Sequence, residues 1–76
     1  PRDDASKLLE EGFRRGMVSV QHRCDWPQNI WAVDEHRQAF EAQLDNAQTG
    51  SYHGYPMPED DDFRKHVLQE WERRGL

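Results

Sequence analysis

One cysteine, Cys24, stands in 76 residues, so no intramolecular disulfide can form and the fold has to hold without one. A reducing cytoplasm is the expected setting for such a chain. No run approaches the ~20 apolar residues of a membrane span, and no secretory leader is visible. No membrane partner is therefore expected. Positive charge is also scarce: ten Lys and Arg stand against fifteen Asp and Glu, a formal charge of −5. Broad nucleic-acid binders are usually basic, because phosphate neutralisation supplies their affinity. DNA is accordingly not an expected partner. A phosphate loop, a Rossmann glycine pattern and a nucleophile elbow are all missing, so no cofactor is expected. The sequence opens on Pro1 rather than Met, which is compatible with a chain processed or cut from a longer protein.

What is present points to one small domain. A chain of this size buries only about 60% of the surface it exposes when unfolded. Three Trp, three Phe and two Tyr supply much of the apolar area, each large aromatic burying roughly 150–250 Å². These aromatics argue for a fold in a chain that is 33% charged.

The spacing predicts a first helix over 4–15. Ala5, Leu8, Leu9 and Phe13 share one face, Asp3 or Asp4 can cap it, and Gly16 suits the position just past its end. Gly12 weakens its interior. Residues 17–24 alternate, with Val18, Val20, His22 and Cys24 on one side, and so predict a strand. Residues 25–29 read as a turn around Pro27. Ile30–Asp34 is expected to pair with Ala39–Asp45 as a hairpin, although 34–47 also contains good helix formers and a middle helix is the competing reading. Residues 46–60 carry turn formers and are expected to be a long loop. A final helix is predicted over 61–74, with Phe63, Val67, Leu68 and Trp71 as its apolar stripe. Acidic residues 59–62 at its start and Arg73 and Arg74 at its end complement its dipole. No internal repeat is visible. The expected fold is α+β in the order α-β-β-β-α: a small antiparallel three-stranded sheet with both helices on one face.

Candidate functional residues cluster in Tyr52-His53-Gly54-Tyr55-Pro56. A His between two phenols can serve as a general acid or base, and the aromatics can anchor a partner or stack on a flat ligand. The plainer reading has the tyrosines covering a small core. Trp26, in a turn, is the tryptophan most available to a partner, and Trp31 and Trp71 read as core. His22 and Cys24 on one strand face could ligate zinc or pair as base and nucleophile. Nothing supplies the remaining ligands or an orienting third group, so Cys24 is expected to be a small buried residue and no metal site is expected. Arg14, Arg15, Arg64, Lys65, Arg73 and Arg74 read as solvated helix charges.

Three stretches carry a resemblance. Residues 27–34 (Pro-Gln-Asn-Ile-Trp-Ala-Val-Asp), 40–46 (Phe-Glu-Ala-Gln-Leu-Asp-Asn) and 49–56 (Thr-Gly-Ser-Tyr-His-Gly-Tyr-Pro) resemble small uncharacterised bacterial domains. Some of those occur at the C-termini of secreted polymorphic toxins. The resemblance implies a helix, a hairpin carrying residues 40–44, and a His-Gly-Tyr-Pro loop. It also implies secretion if the chain is a piece of a toxin, and a metal-independent ribonuclease as one activity. The positions that match are His53, as acid or base, and Tyr52 beside it; no arginine matches, and the ribonuclease reading takes one such as Arg23 for the cation.

The expected function is a small protein-interaction or accessory module. Tyr52, His53, Tyr55 and Trp26 would be its binding residues, and its partner another protein or a second copy of itself. RNA is expected as a ligand only under the ribonuclease alternative.

Overall fold

The computed structural model describes residues 2–75, with side chains from residue 7 onward. It is an α+β fold of two helices and two antiparallel sheets. Helix α1 spans Arg2–Arg14 and helix α2 spans Asp62–Arg74. Strands β3 (Asn29–Val33), β4 (Ala39–Asn46) and β5 (Ser51–Pro56) form a meander in that order, and β1 (His22–Arg23) pairs with β2 (Trp26–Pro27) as a separate small ladder.

The expected 30–34/39–45 hairpin is present, five residues of β3 facing five of β4 from Asn29↔Gln43 to Val33↔Ala39. Strand wins over helix here because Asp34 closes a tight turn instead of capping a helix: its carboxylate accepts from the His36 and Gln38 backbone N–H groups.

Four expectations need correction. Residues 17–24 do not form one continuous strand; only His22–Arg23, β1, is strand. Met17 O accepts from Trp31 N–H and Ser19 N–H donates to Asn29 O, with a single bridge at Val18↔Ile30. The pairing is interrupted at Val20, which is 96% exposed, and resumes where Gln28 N–H donates to Gln21 O and in β1; Met17, on the other side of the alternation from Val20, is buried. Second, the turn falls at Cys24-Asp25, with Cys24 at φ +55°, so Trp26 and Pro27 belong to a strand. Third, the long loop contains β5, the third strand of the main sheet. An Asx turn at Asn46, whose side chain accepts from Gln48 N–H, and Gly50 at φ +71° reverse the chain early enough for Tyr52 to face Leu44 and Tyr55 to face Glu41. Fourth, the helices lie on opposite faces of the sheet.

The two faces follow from strand alternation. Ile30, Ala32, Phe40, Ala42, Leu44, Tyr52, Gly54 and Pro56 share the first. Helix α1 lies on it, close enough at Gly12 that a side chain would overlap Trp31 O and come within 3.1 Å of Ile30 Cγ2. That close approach is why glycine occupies the helix interior. Trp31, Val33, Ala39, Glu41, Gln43, His53 and Tyr55 share the second. There Val33, Ala39, Met17, Met57 and Val67 of α2 form a buried cluster, flanked by Trp31, Leu68 and Trp71.

Helix α2 begins as expected, with the Asp61 carboxylate accepting from Phe63 N–H. Asp3 and Asp4 instead lie inside α1, which starts at Arg2, and the side chain of Ala5 is outside the described residues. The two helix ends also repeat one sequence, Glu11-Gly12-Phe13-Arg14-Arg15-Gly16 and Glu70-Trp71-Glu72-Arg73-Arg74-Gly75, although no repeat was expected. They meet at the β3 edge. Arg15 lies over the Trp71 ring, its Cζ 3.8 Å from the centroid, and Nη1 donates to Trp71 O at 2.8 Å. Arg74 Nη1 donates to Gly16 O at 2.7 Å. Arg15 and Arg74 are thus not merely solvated charges.

Candidate functional site

Helix α1 packs mainly over β3, so the first face is left open toward β5. Two troughs occupy the opening. One, of about 920 Å³, runs between Lys7 and Leu8 of α1, Phe40 of β4, and Tyr52, Gly54 and Pro56 of β5. The other, of about 630 Å³, lies between Leu9 and Phe13 of α1 and the residues Trp26, Ile30, Gly50 and Tyr52. Tyr52 is the ridge shared by both, fixed by donating its hydroxyl to Pro27 O at 2.6 Å. Burial raises the Tyr52 phenol above its ordinary pKa, so it stays a neutral donor at neutral pH.

Tyr52 and Trp26 therefore come together on one surface. Trp26 is half-buried because its ring lies flat against Gly50, where a side chain would overlap it. Phe13 joins them, 49% exposed. Helical spacing puts it on the same face as Leu8 and Leu9, and it lies at the end of that face beside Trp26 and Ile30.

His53 and Tyr55 lie on the opposite face, since successive strand residues alternate. Their rings are 6.3 Å apart. His53 faces Gln43 across the strands and Tyr55 faces Glu41, which in turn faces Trp31. Gln43 Nε2 donates to Tyr55 Oη at 3.0 Å, and Asn29 Nδ2 donates to Glu41 Oε2 at 2.9 Å. Burial and then the nearby Glu41 charge hold the Tyr55 phenol above its ordinary pKa. Glu41 reads as a helix former in the sequence; only its register in β4 reveals it as part of this surface.

Tyr52 and His53 point to opposite faces of the main sheet, and Arg23 belongs to the small two-stranded sheet. Cys24 is exposed rather than buried. The neighbouring His22 bonds locally, its Nδ1 3.0 Å from Val20 O. Among the described residues no group of three or more His, Cys, Asp or Glu is placed to hold a metal ion, and no helix is long and apolar enough to cross a membrane.

Gly54 separates the demands of the fold from those of the site. Its φ is not positive, and an added Cβ would meet Ala42 Cβ and Glu41 O at 3.9 Å, ordinary contact. The fold does not require glycine there, yet glycine inside a regular element destabilises by roughly 0.5–1 kcal/mol. Comparison with known families, with curated proteins and with solved structures finds no match to this chain.

Proposed function

We propose that this chain is a protein-interaction module that receives an extended segment of a partner protein along the free edge of β5. The observation that carries this reading is Gly54. A glycine in mid-strand often marks a bulge, a tight bend or a site where a ligand or another backbone approaches closely; Gly54 is in regular register with Ala42 and sits on the floor of the larger trough. Strand β5 is the last in the order β3-β4-β5, with no neighbouring strand on its outer side among the described residues. Met57 N–H donates to Ala39 O. By ladder alternation the backbone groups of Tyr55 and His53 also turn toward β4, and those of Tyr52 and Gly54 turn outward. An added strand would bond to them, and its alternate side chains would enter the trough against Leu8 and Phe40, with Tyr52 as an aromatic anchor.

Ribonuclease chemistry needs an acid, a base and a cation around one phosphate. Tyr52 and His53 on opposite faces, Arg23 on the other sheet and the charge of −5 give that alternative little support.

The test is selection from a random displayed-peptide library on the immobilised protein, followed by affinity measurement on Gly54→Leu. Cβ is accommodated at this position, so Gly54→Leu folds, and its side chain fills the trough. The expected peptides have apolar residues at alternate positions and bind Gly54→Leu at least about tenfold more weakly. Peptides that bind both forms equally, or no enrichment over a blank surface, would remove the reading.

A further inference from the structure

The second face carries a different kind of surface, and it does not depend on the trough. Beyond the part covered by α2, one row across the sheet reads Trp31, Glu41, Tyr55, and the next reads Asn29, Gln43, His53. Phe63 of α2 stands edge-on to Trp31, with ring centroids 5.3 Å apart, and is itself 44% exposed. Trp31 and Tyr55 are two strands apart, about 10 Å from the usual strand spacing. Between them lies the Glu41 carboxylate, held by Asn29. The negative end of this row extends to Asp61, whose charge also reaches Tyr55.

The nearest basic rings are His66 of α2, 5.2 Å from the Phe63 ring, and His53, 6.3 Å from the Tyr55 ring. Arg64 reaches the β3–β4 turn, where Nη2 donates to Arg37 O, and Lys65 is exposed on α2. The surface thus combines aromatic rings on either side of a carboxylate with the nearby Asp61 charge and a chain charge of −5. A cation within about 6 Å of a ring face is attracted by the ring quadrupole, and a carboxylate beneath it adds a charge-assisted hydrogen bond.

We propose that Trp31, Phe63, Glu41 and Tyr55 bind a cationic side chain of a partner protein, a lysine or an arginine. Glu41 accepts its N–H groups, Tyr55 and the Trp31–Phe63 pair flank it, and Gln43 fixes the Tyr55 hydroxyl. The polar neighbours Asn29 and Gln43 hold the two central groups in place and do not themselves carry charge.

The test is an NMR titration of the protein with a capped Gly-Arg-Gly peptide and with its citrulline counterpart, which has the same shape and no charge. The expected result is a saturable shift of the Trp31 indole N–H and the Tyr55 signals with the arginine peptide, lost on raising the salt. Citrulline leaves them in place, Glu41→Gln weakens binding about tenfold, and Gly54→Leu does not affect it. Tyr55→Leu is the second variant, in case Glu41→Gln disturbs Asn29. Equal responses to both peptides, no response to either, or binding that survives in both variants overturns the proposal. A response to a short RNA at these same signals overturns it as well.

Discussion

Arg15 and Arg74 each hold the carboxyl end of the other's helix. Arg15, near the end of α1, donates to Trp71 O in α2, and Arg74, at the end of α2, donates to Gly16 O just past α1. The last carbonyls of a helix lack partners within it; here Trp71 O is met by Arg15, while Arg74 secures the turn just past α1, whose own Glu11, Gly12 and Phe13 carbonyls accept from the Arg15, Met17 and Gly16 N–H groups. A side chain at Gly16 would come within 3.0 Å of Arg74 Nη1, and one at Gly75 within 2.7 Å of Arg15 Nη1. The repeated Glu-x-x-Arg-Arg-Gly is the sequence form of this exchange. In each copy the glutamate bonds to the arginines that follow it.

Arg15→Ala is expected to destabilise the fold by about 1–3 kcal/mol, the range for a charge-assisted hydrogen bond plus a cation–π contact. Arg74→Ala should cost less, since that side chain is more exposed. Urea denaturation gives both values from the shift in midpoint. An Arg15→Ala midpoint equal to that of the parent chain would show the exchange to be dispensable.

Gly12→Ala tests helix propensity against packing. Propensity alone predicts a gain of about 1 kcal/mol. Overlap with Trp31 O and crowding of Ile30 predict a loss, with overpacking costing about 1–3 kcal/mol. The expected net effect is a lower melting temperature.

Gly50 and Gly54 should respond in opposite senses. Alanine at position 50 has to take φ +71° and displace Trp26, which is expected to cost about 1–3 kcal/mol. Valine at position 54 has room and suits a strand, so Gly54→Val should leave stability unchanged or raise it by up to about 1 kcal/mol. Thermal melts of the two variants side by side decide the matter.

Acid should loosen the helix ends. Hydrogen bonds from Arg73 and then Arg74 lower the Glu70 pKa from 4.5 to about 2, and Arg14 and Arg15 lower that of Glu11 in the same direction. A carboxylate whose pKa is depressed by folding stabilises fully above its unfolded value, and the contribution is lost as pH falls through the folded one. Melting temperature should thus fall between pH 4.5 and about 2, with a shallower fall in Glu70→Gln.

Much of this architecture can be read from the residues, and the exceptions have physical causes. Val67, Leu68 and Trp71 announce α2 because helical periodicity is local, and Ile30–Val33 announces β3 by its β-branched, apolar character. Strand β5 is hidden because Gly50, Gly54 and Pro56 carry turn chemistry, while what makes 51–56 a strand is pairing with β4. The alternation over 17–24 is real, but the pairing slips by one residue between the Val18↔Ile30 bridge and the His22↔Pro27 pair, and Val20 is left facing water. Of the candidate surfaces, Tyr52 and Trp26 stand out in the sequence. The roles of Phe13 and Glu41 depend on which way a helix end and a strand face turn, and single residues do not encode that.

The exchange between Arg15 and Arg74 joins positions 59 residues apart. Synthesis runs from the N-terminus, so α1 can coil soon after it leaves the ribosome, but Gly16 O gains its arginine only when residue 74 has been made. Until then the first helix is a provisional structure. Closing so long a span before its contacts form has an entropic cost and slows folding. The nascent chain would therefore be most open to proteases and chaperones in the interval between completing β5 and completing α2.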